Sequence, residues 1–259
     1  ETLYGQIQRQ PRTHEGNFWH KAIYPNQVWL DGLYMAQVFY SRYTTDFEGG
    51  KNYEDIRRQF RTVREKMFDP ATGLYRHGYD ASHTAFWAGE DGCSKNPWLR
   101  SLGWFSAALI DVTADVDRDD FRTEMTAIAK ELAENLLPYI DRESGMLWQV
   151  PNQIGREGNY PETSGSAMVA YFYLKGARLG ILDPSYAAIG EGELDVADVK
   201  NMVAEIRSAE TPVATEQEKK AGGILKEKSN NNDDILVIDA KNVKGIDYRM
   251  AKCCNPVFG

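Results

Sequence analysis

The sequence predicts an all-α protein, part of an (α/α)6 toroid in which inner helices are ringed by outer ones. Three observations predict it. The first is a repeat: Pro25 to Tyr43, Pro97 to Val112 and Pro161 to Gly176 each open on a proline and carry a glycine inside an apolar, small-residue run. Those glycines are Gly32, Gly103 and Gly165. The second is a pair of amphipathic segments between the repeats. The third is a matching turn after each amphipathic segment.

The repeated segments read as inner helices. Proline suits the first turn of a helix, and Asn96 is placed to cap the second segment. Leu33, Met35 and Ala36, or Phe105, Ala107 and Ala108, spread apolar character round the helix, which marks a buried one. A glycine inside a helix costs about 1 kcal/mol, so its repetition points to close packing or to room for a ligand.

The amphipathic segments read as outer helices. Ile56, Phe60, Val63 and Met67 form one stripe, and Phe121, Met125, Ile128, Leu132 and Leu136 form the other. Charged residues such as Arg57, Arg58 and Arg61, or Glu124, Lys130 and Glu131, take the remaining faces. Asp69-Pro-Ala-Thr-Gly-Leu-Tyr and Asp141-Arg-Glu-Ser-Gly-Met-Leu then turn the chain into short aromatic runs that read as hairpin strands. Three inner and two outer helices are fewer than a closed six-fold ring needs, so the toroid is expected to be partial, with apolar helix flanks left open to self-association.

Composition narrows the function. A net charge of -8 disfavours nucleic acid or an anionic membrane as a partner. No run of about 18 apolar residues is present to span a membrane. Aromatic residues make up 12% of the chain and concentrate before residue 180, where they build either core or sugar-stacking surfaces. Cys93, Cys253 and Cys254 form neither a disulfide framework nor a set of metal ligands, and no cofactor motif is seen. The first residue is Glu1 and no signal-peptide pattern is present, so an upstream start is expected and no compartment is assigned.

Chemistry is expected where inner helices begin. His20, Lys21, Trp29, Asp31, His77, Asp80, Trp98 and Arg100 all lie near such starts. Asp31 stands in Val-Trp-Leu-Asp-Gly-Leu-Tyr-Met, a carboxylate in an apolar helix, which requires a partner or a job. It reads either as one half of a structural ion pair or as a general acid favoured by its apolar surroundings. Arg100 reads either as a ligand for an anionic group or as the partner of an acid such as Asp111.

The motifs Gly16-Asn-Phe-Trp-His-Lys, Pro25-Asn-Gln-Val-Trp-Leu-Asp-Gly-Leu-Tyr-Met-Ala, Gly73-Leu-Tyr-Arg-His-Gly-Tyr-Asp, Trp98-Leu-Arg-Ser-Leu-Gly-Trp-Phe and Pro161-Glu-Thr-Ser-Gly-Ser-Ala-Met, in this order, resemble glycoside hydrolase family 105 over about residues 1–182. That family contains the unsaturated rhamnogalacturonyl hydrolases. The resemblance implies an oligosaccharide substrate ending in a 4,5-unsaturated uronic acid. It implies that a general acid protonates C4, that water adds at C5, and that the hemiketal opens to release the partner sugar. The nucleophile of ordinary retaining glycosidases is then not required. Asp31 matches the acid. His20, His77, Trp98 and Arg100 match residues that bind the uronate, and Asp80 ends one of the motifs; Lys21, Trp29 and Trp104 complete the expected sugar-binding set. The resemblance also implies helices before Glu1, carrying a second acid, and others beyond Leu182. The chain is therefore expected to be feeble unless completed, and a non-catalytic sugar-binding toroid is the alternative.

Residues 183–259 change character: aromatic residues thin out, and a flexible linker is expected at 208–234. Tyr186-Ala-Ala-Ile-Gly-Glu-Gly-Glu-Leu-Asp and Met250-Ala-Lys-Cys-Cys-Asn-Pro-Val-Phe-Gly resemble the regulatory half of RelA/SpoT-type stringent-response proteins. This resemblance implies a chimera joined near residues 178–186, and a stringent-response regulatory fragment as a second alternative function.

Overall fold

A computed structural model describes residues 2–192. The order is helix α1 (Thr2–Arg9), strand β1 (Gln27–Trp29), helices α2 (Leu30–Phe47) and α3 (Tyr53–Met67), and strands β2 (Phe68–Asp69), β3 (Leu74–Tyr75) and β4 (Gly78–Asp80). Helices α4 (Leu99–Asp115), α5 (Asp119–Leu136), α6 (Thr163–Arg178) and the short α7 (Tyr186–Gly190) follow. Helices α2, α4 and α6 pack side by side as the inner layer of a partial (α/α)6 toroid, with α3 and α5 outside them.

The outer helices follow their stripes. Ile56, Phe60, Val63 and Met67 are buried, as are Phe121, Met125, Ile128, Leu132 and Leu136. Their charged faces meet: Arg57 pairs with Asp120 at 2.6 Å, Arg61 with Glu124 at 2.6 Å, and Arg64 with Glu131 at 2.8 Å. The Arg61 and Arg64 pairs are partly exposed and worth at most about 1 kcal/mol each, while the Arg57 side chain is buried; together they set the register of α3 against α5. The core lies beneath, where the Phe105 ring of α4 meets Phe60 at 6.2 Å and Tyr75 at 4.6 Å.

The matching turns share one mechanism. In each, an aspartate accepts from backbone groups of the turn, and a glycine in the left-handed region returns its N–H to the aspartate carbonyl. These are Gly73 (φ 71°) to Asp69 at 2.8 Å and Gly145 (φ 68°) to Asp141 at 2.9 Å. The first turn opens the β2–β3 hairpin, and the second closes on an Ile140–Leu147 bridge.

Several elements differ from expectation. The inner helices begin later than their prolines. A turn at Tyr24–Gln27 and strand β1 precede α2, because β1 pairs antiparallel with β4, Trp29 opposite Gly78. Asn96 is not the cap of α4: Trp98 occupies that position, and the Leu99 N–H is satisfied by the Gln149 carbonyl at 2.9 Å. The N-terminal helix α1 is an addition; Tyr4 stacks on Tyr43 of α2 with 4.4 Å between centroids.

Among the described helices only α4 is buried nearly all round. On α2 the buried positions are Leu30, Leu33, Gln37, Tyr40, Ser41 and Thr44, a single face, and Met35 and Phe47 are 58% and 74% exposed. Leu182 does not end the packing: Tyr186 of α7 stacks on Tyr173 of α6 at 5.3 Å, and the Tyr173 hydroxyl donates to the Ala133 carbonyl. The segment Tyr186–Gly190 thus packs on the toroid. The linker at 208–234 and the Cys253-Cys254 segment lie outside the described residues.

Candidate active site

Three inner helices begin at one rim. Asp31 is the second residue of α2, Arg100 the second of α4, and Glu162 caps α6, its carboxylate accepting from the N–H groups of Ser164 and Gly165. Helix N-termini carry partial positive charge and unpaired N–H groups, so a rim built from three of them favours anions.

The pairing of β1 with β4 assembles the walls. It sets Trp29 beside Gly78, where a Cβ would lie 3.2 Å from the Trp87 ring and 3.5 Å from Trp29. A side chain there would push the two indoles apart. His20 lies flat on Trp29, 4.4 Å between centroids and 11° between planes, and Tyr24 stacks with the same indole at 5.2 Å. His77 approaches Trp29 edge-on at 5.2 Å and stands perpendicular to Trp98 at 5.4 Å. Gly32 gives His20 its room: a Cβ there would lie 3.3 Å from the imidazole Nδ1. The guanidinium of Arg100 sits 4.3 Å above the Trp98 ring.

Asp31 is half-buried, and its Oδ2 accepts from the Ser101 hydroxyl at 2.6 Å. This donor is a neutral hydroxyl on a neighbouring inner helix. Two imidazoles share its field. Burial lowers the pKa of His77 to about 4, against the pull of the Asp31 charge, with His20 adding to the fall. Burial also lowers His20, again opposed by Asp31. Both rings are therefore neutral near pH 7 and can donate or accept without neutralising the carboxylate.

Arg100 is 41% exposed on its side chain, and among the described residues its ion-pair partner is Glu162, at 3.9 Å. Asp111, the alternative partner, is engaged elsewhere, 3.1 Å from the Lys175 ammonium and accepting from the Tyr171 hydroxyl at 2.8 Å. Lys21 is exposed, 5.9 Å over the Tyr24 ring. Trp104 lies one turn further along α4, with its ring 4.8 Å from Tyr34 of α2.

Asp80 is not brought to this group. It is buried, and its oxygens accept from Ser82 N and Oγ, Thr84 N and Ala85 N at 2.6–2.9 Å. Burial alone would raise its pKa, but those hydrogen bonds together hold it below the usual carboxylate value. It anchors the loop that carries Trp87.

Sequence reasoning missed Ser101, Glu162, Tyr24 and Trp87. Glu162 had a local signal, since it directly precedes a helix and a cap position favours a side-chain acceptor there. Ser101 had none, because its partner lies 70 residues away.

Comparison with known proteins places the chain among glycoside hydrolases. The family model for Glycosyl Hydrolase Family 88 matches residues 1–194, a span that takes in Tyr186–Gly190. Protein Atu3128 of Agrobacterium fabrum is 37% identical over 147 residues, 56% of this chain and 62% of that protein. The unsaturated rhamnogalacturonyl hydrolase YesR of Bacillus subtilis is 27% identical over 228 residues, 82% of this chain and 60% of YesR. The structure of a family 105 glycoside hydrolase from C. acetobutylicum superposes with a TM-score of 0.71 at 40% identity, covering 74% of this chain and 54% of that one. The matched region thus spans little more than half the length of these relatives. The stringent-response resemblance gains no support from them, nor does a chimera. With its family match running across the toroid and its rim, the chain belongs to glycosyl hydrolase family 88.

Proposed function

We propose that this protein is a glycoside hydrolase acting on oligosaccharides that end in a 4,5-unsaturated uronic acid, with Asp31 as general acid. The observation that carries the reading is Asp31 itself: a half-buried carboxylate, bonded to a neutral hydroxyl, beside two imidazoles that burial keeps uncharged.

In this reading the unsaturated ring lies between Trp29 and Trp98, with His20 and His77 as its polar contacts. Arg100, pre-oriented by Trp98, offers a planar fork of donors to the uronate carboxylate, and the helix N-termini add to the attraction. Lys21 adds a further cation at the edge, and Trp104 with Tyr34 lines the deeper part. Asp31 delivers its proton to C4 of the vinyl ether and water supplies hydroxide to C5. The resulting hemiketal opens, breaking the bond to the partner sugar, and the proton lost by the water returns to Asp31. No covalent enzyme intermediate is formed, so a second carboxylate acting as nucleophile is not needed.

The name of the B. subtilis relative supports a rhamnogalacturonyl partner sugar. The test follows the absorbance of the double bond with an unsaturated rhamnogalacturonyl disaccharide and, in parallel, an unsaturated glycosaminoglycan disaccharide. Loss of absorbance with the first substrate, abolished in Asp31→Asn, is expected. Binding without turnover would replace the reading with a sugar-binding toroid, and preferred turnover of the second substrate would reassign the specificity.

A further inference from the structure

We propose that Ser101 is a positioning residue for Asp31, fixing which carboxyl oxygen carries the proton and stabilising the carboxylate once that proton has left. The inference rests on the reading of Asp31 as general acid.

Ser101 is fully buried in the first turn of α4 and donates to Asp31 Oδ2 at 2.6 Å across the α2–α4 interface. The other buried hydroxyls of α4 behave differently. Ser106 donates to the Leu102 carbonyl at 2.8 Å and Thr113 to the Leu109 carbonyl at 2.6 Å, each four residues back along its own helix. That is the ordinary way a hydroxyl inside a helix is satisfied. Ser101 alone of the three points its hydroxyl at a carboxylate on a neighbouring helix.

A hydrogen bond donated to one carboxyl oxygen makes that oxygen the poorer base, so the transferable proton resides on Oδ1. The bond also strengthens as the reaction proceeds. Before transfer the hydroxyl meets a neutral acid; afterwards it meets a carboxylate, and hydrogen bonds to a charged group are roughly twice as strong. An interaction that gains strength as charge develops stabilises the transition state more than the ground state. His20 and His77 face the same carboxylate from the segment before β1 and from the β3–β4 connection, and Lys21 and Arg100 are the nearby cations of the rim. Ser101 is the uncharged donor from α4.

The experiment measures kcat and KM of the full chain on the unsaturated rhamnogalacturonyl disaccharide across pH, for the parent, Ser101→Ala, Ser101→Thr and Asp31→Asn. Thermal melts confirm folding. Expected is a kcat for Ser101→Ala lower by about 10- to 100-fold, with KM within about twofold. Its pH profile should differ from the parent's, and Ser101→Thr should recover both rate and profile. A partly unfolded preparation would lower kcat without changing the profile. Parent-like rate and profile in Ser101→Ala, with Asp31→Asn inactive, overturn the inference and leave the reading of Asp31 standing. Turnover by Asp31→Asn, or none by the parent chain, overturns that reading and the inference with it.

Discussion

Gly103 and Gly165 meet across the α4–α6 interface: a Cβ on Gly103 would lie 3.2 Å from the Gly165 carbonyl oxygen and 3.4 Å from its Cα. The two inner helices thus touch backbone to backbone, close to the rim where Arg100 and Glu162 face each other. On the other side of the contact, a Cβ on Gly165 would fall 2.5 Å from Leu99 Cγ and 2.8 Å from Glu162 Oε2. Gly165→Ala gains helix propensity, about 1 kcal/mol, but forces the helices apart. Overpacking of this kind costs about 1–3 kcal/mol, occasionally more, and here backbone must move as well as side chain. A net loss of stability, read as a lower urea midpoint, is expected. Gly5→Ala in α1 is the control. Its Cβ would meet only the far end of the Arg9 side chain at 3.2 Å, so a small gain is expected. A stabilised Gly165→Ala would refute the packing argument.

How far this was legible from sequence depends on the range of the interaction. The stripes of α3 and α5 are local patterns, and the burial of Phe60 or Phe121 follows from them directly. The aspartate–glycine turns after both helices are equally local. The start of α2 was not legible, because β1 exists only through its pairing with β4, some fifty residues on, and nothing in Gln27–Trp29 announces a partner. The burial of α2 was overestimated for a related reason: an apolar sequence tells what a helix can bury, while Met35 and Phe47 show what it does not. In the site, Asp31 stood out because a lone carboxylate among apolar residues is costly. Asp80 was drawn in by its nearness to His77 in the chain, although the loop beyond it takes up both of its oxygens.

Asp80 supplies a prediction about that loop. Its carboxylate is the acceptor for the Thr84 and Ala85 N–H groups at 2.8 and 2.6 Å. Asp80→Ala removes these bonds together with the two from Ser82. Hydrogen bonds to a charged group contribute about 1.5–3 kcal/mol, so the loop should open. Amide hydrogen exchange at Thr84 and Ala85 is expected to accelerate by at least about tenfold, with protection in α5 unchanged. Retained protection at those two amides would show that the loop holds without its anchor.

His77 predicts a pH dependence of stability. Its folded pKa of about 4 lies below the ordinary 6.5, so the unfolded chain binds the proton more readily than the folded one. The contribution of the neutral ring is therefore fully present above about pH 6.5 and is lost as pH falls toward 4. A shift of this size corresponds to about 3 kcal/mol. His20, lowered for the same reason, adds in the same direction. Unfolding free energy measured at intervals from pH 7 to pH 4 should fall more steeply in the parent than in His77→Gln. Parallel curves for the two proteins would show that the ring does not titrate as described.

Arg100 gives the prediction that bears most directly on substrate. The guanidinium lies over Trp98 and has Glu162 as a distant partner, so it is oriented before any ligand arrives. Under the proposed function its target is the uronate carboxylate, and a planar fork can meet both oxygens at once where an ammonium meets them as a point charge. Arg100→Lys keeps the charge but loses the fork and the stacking. A charged hydrogen bond is worth about 1.5–3 kcal/mol, so affinity for the unsaturated disaccharide should fall by about 10- to 100-fold. The methyl ester of the same disaccharide, which carries no charge on that group, should bind the parent weakly and lose little further in the variant. The comparison is a calorimetric titration of both ligands against both proteins, each carrying Asp31→Asn so that no turnover interferes. Equal losses for acid and ester would mean that Arg100 shapes the wall of the site through Trp98 and does not read the carboxylate.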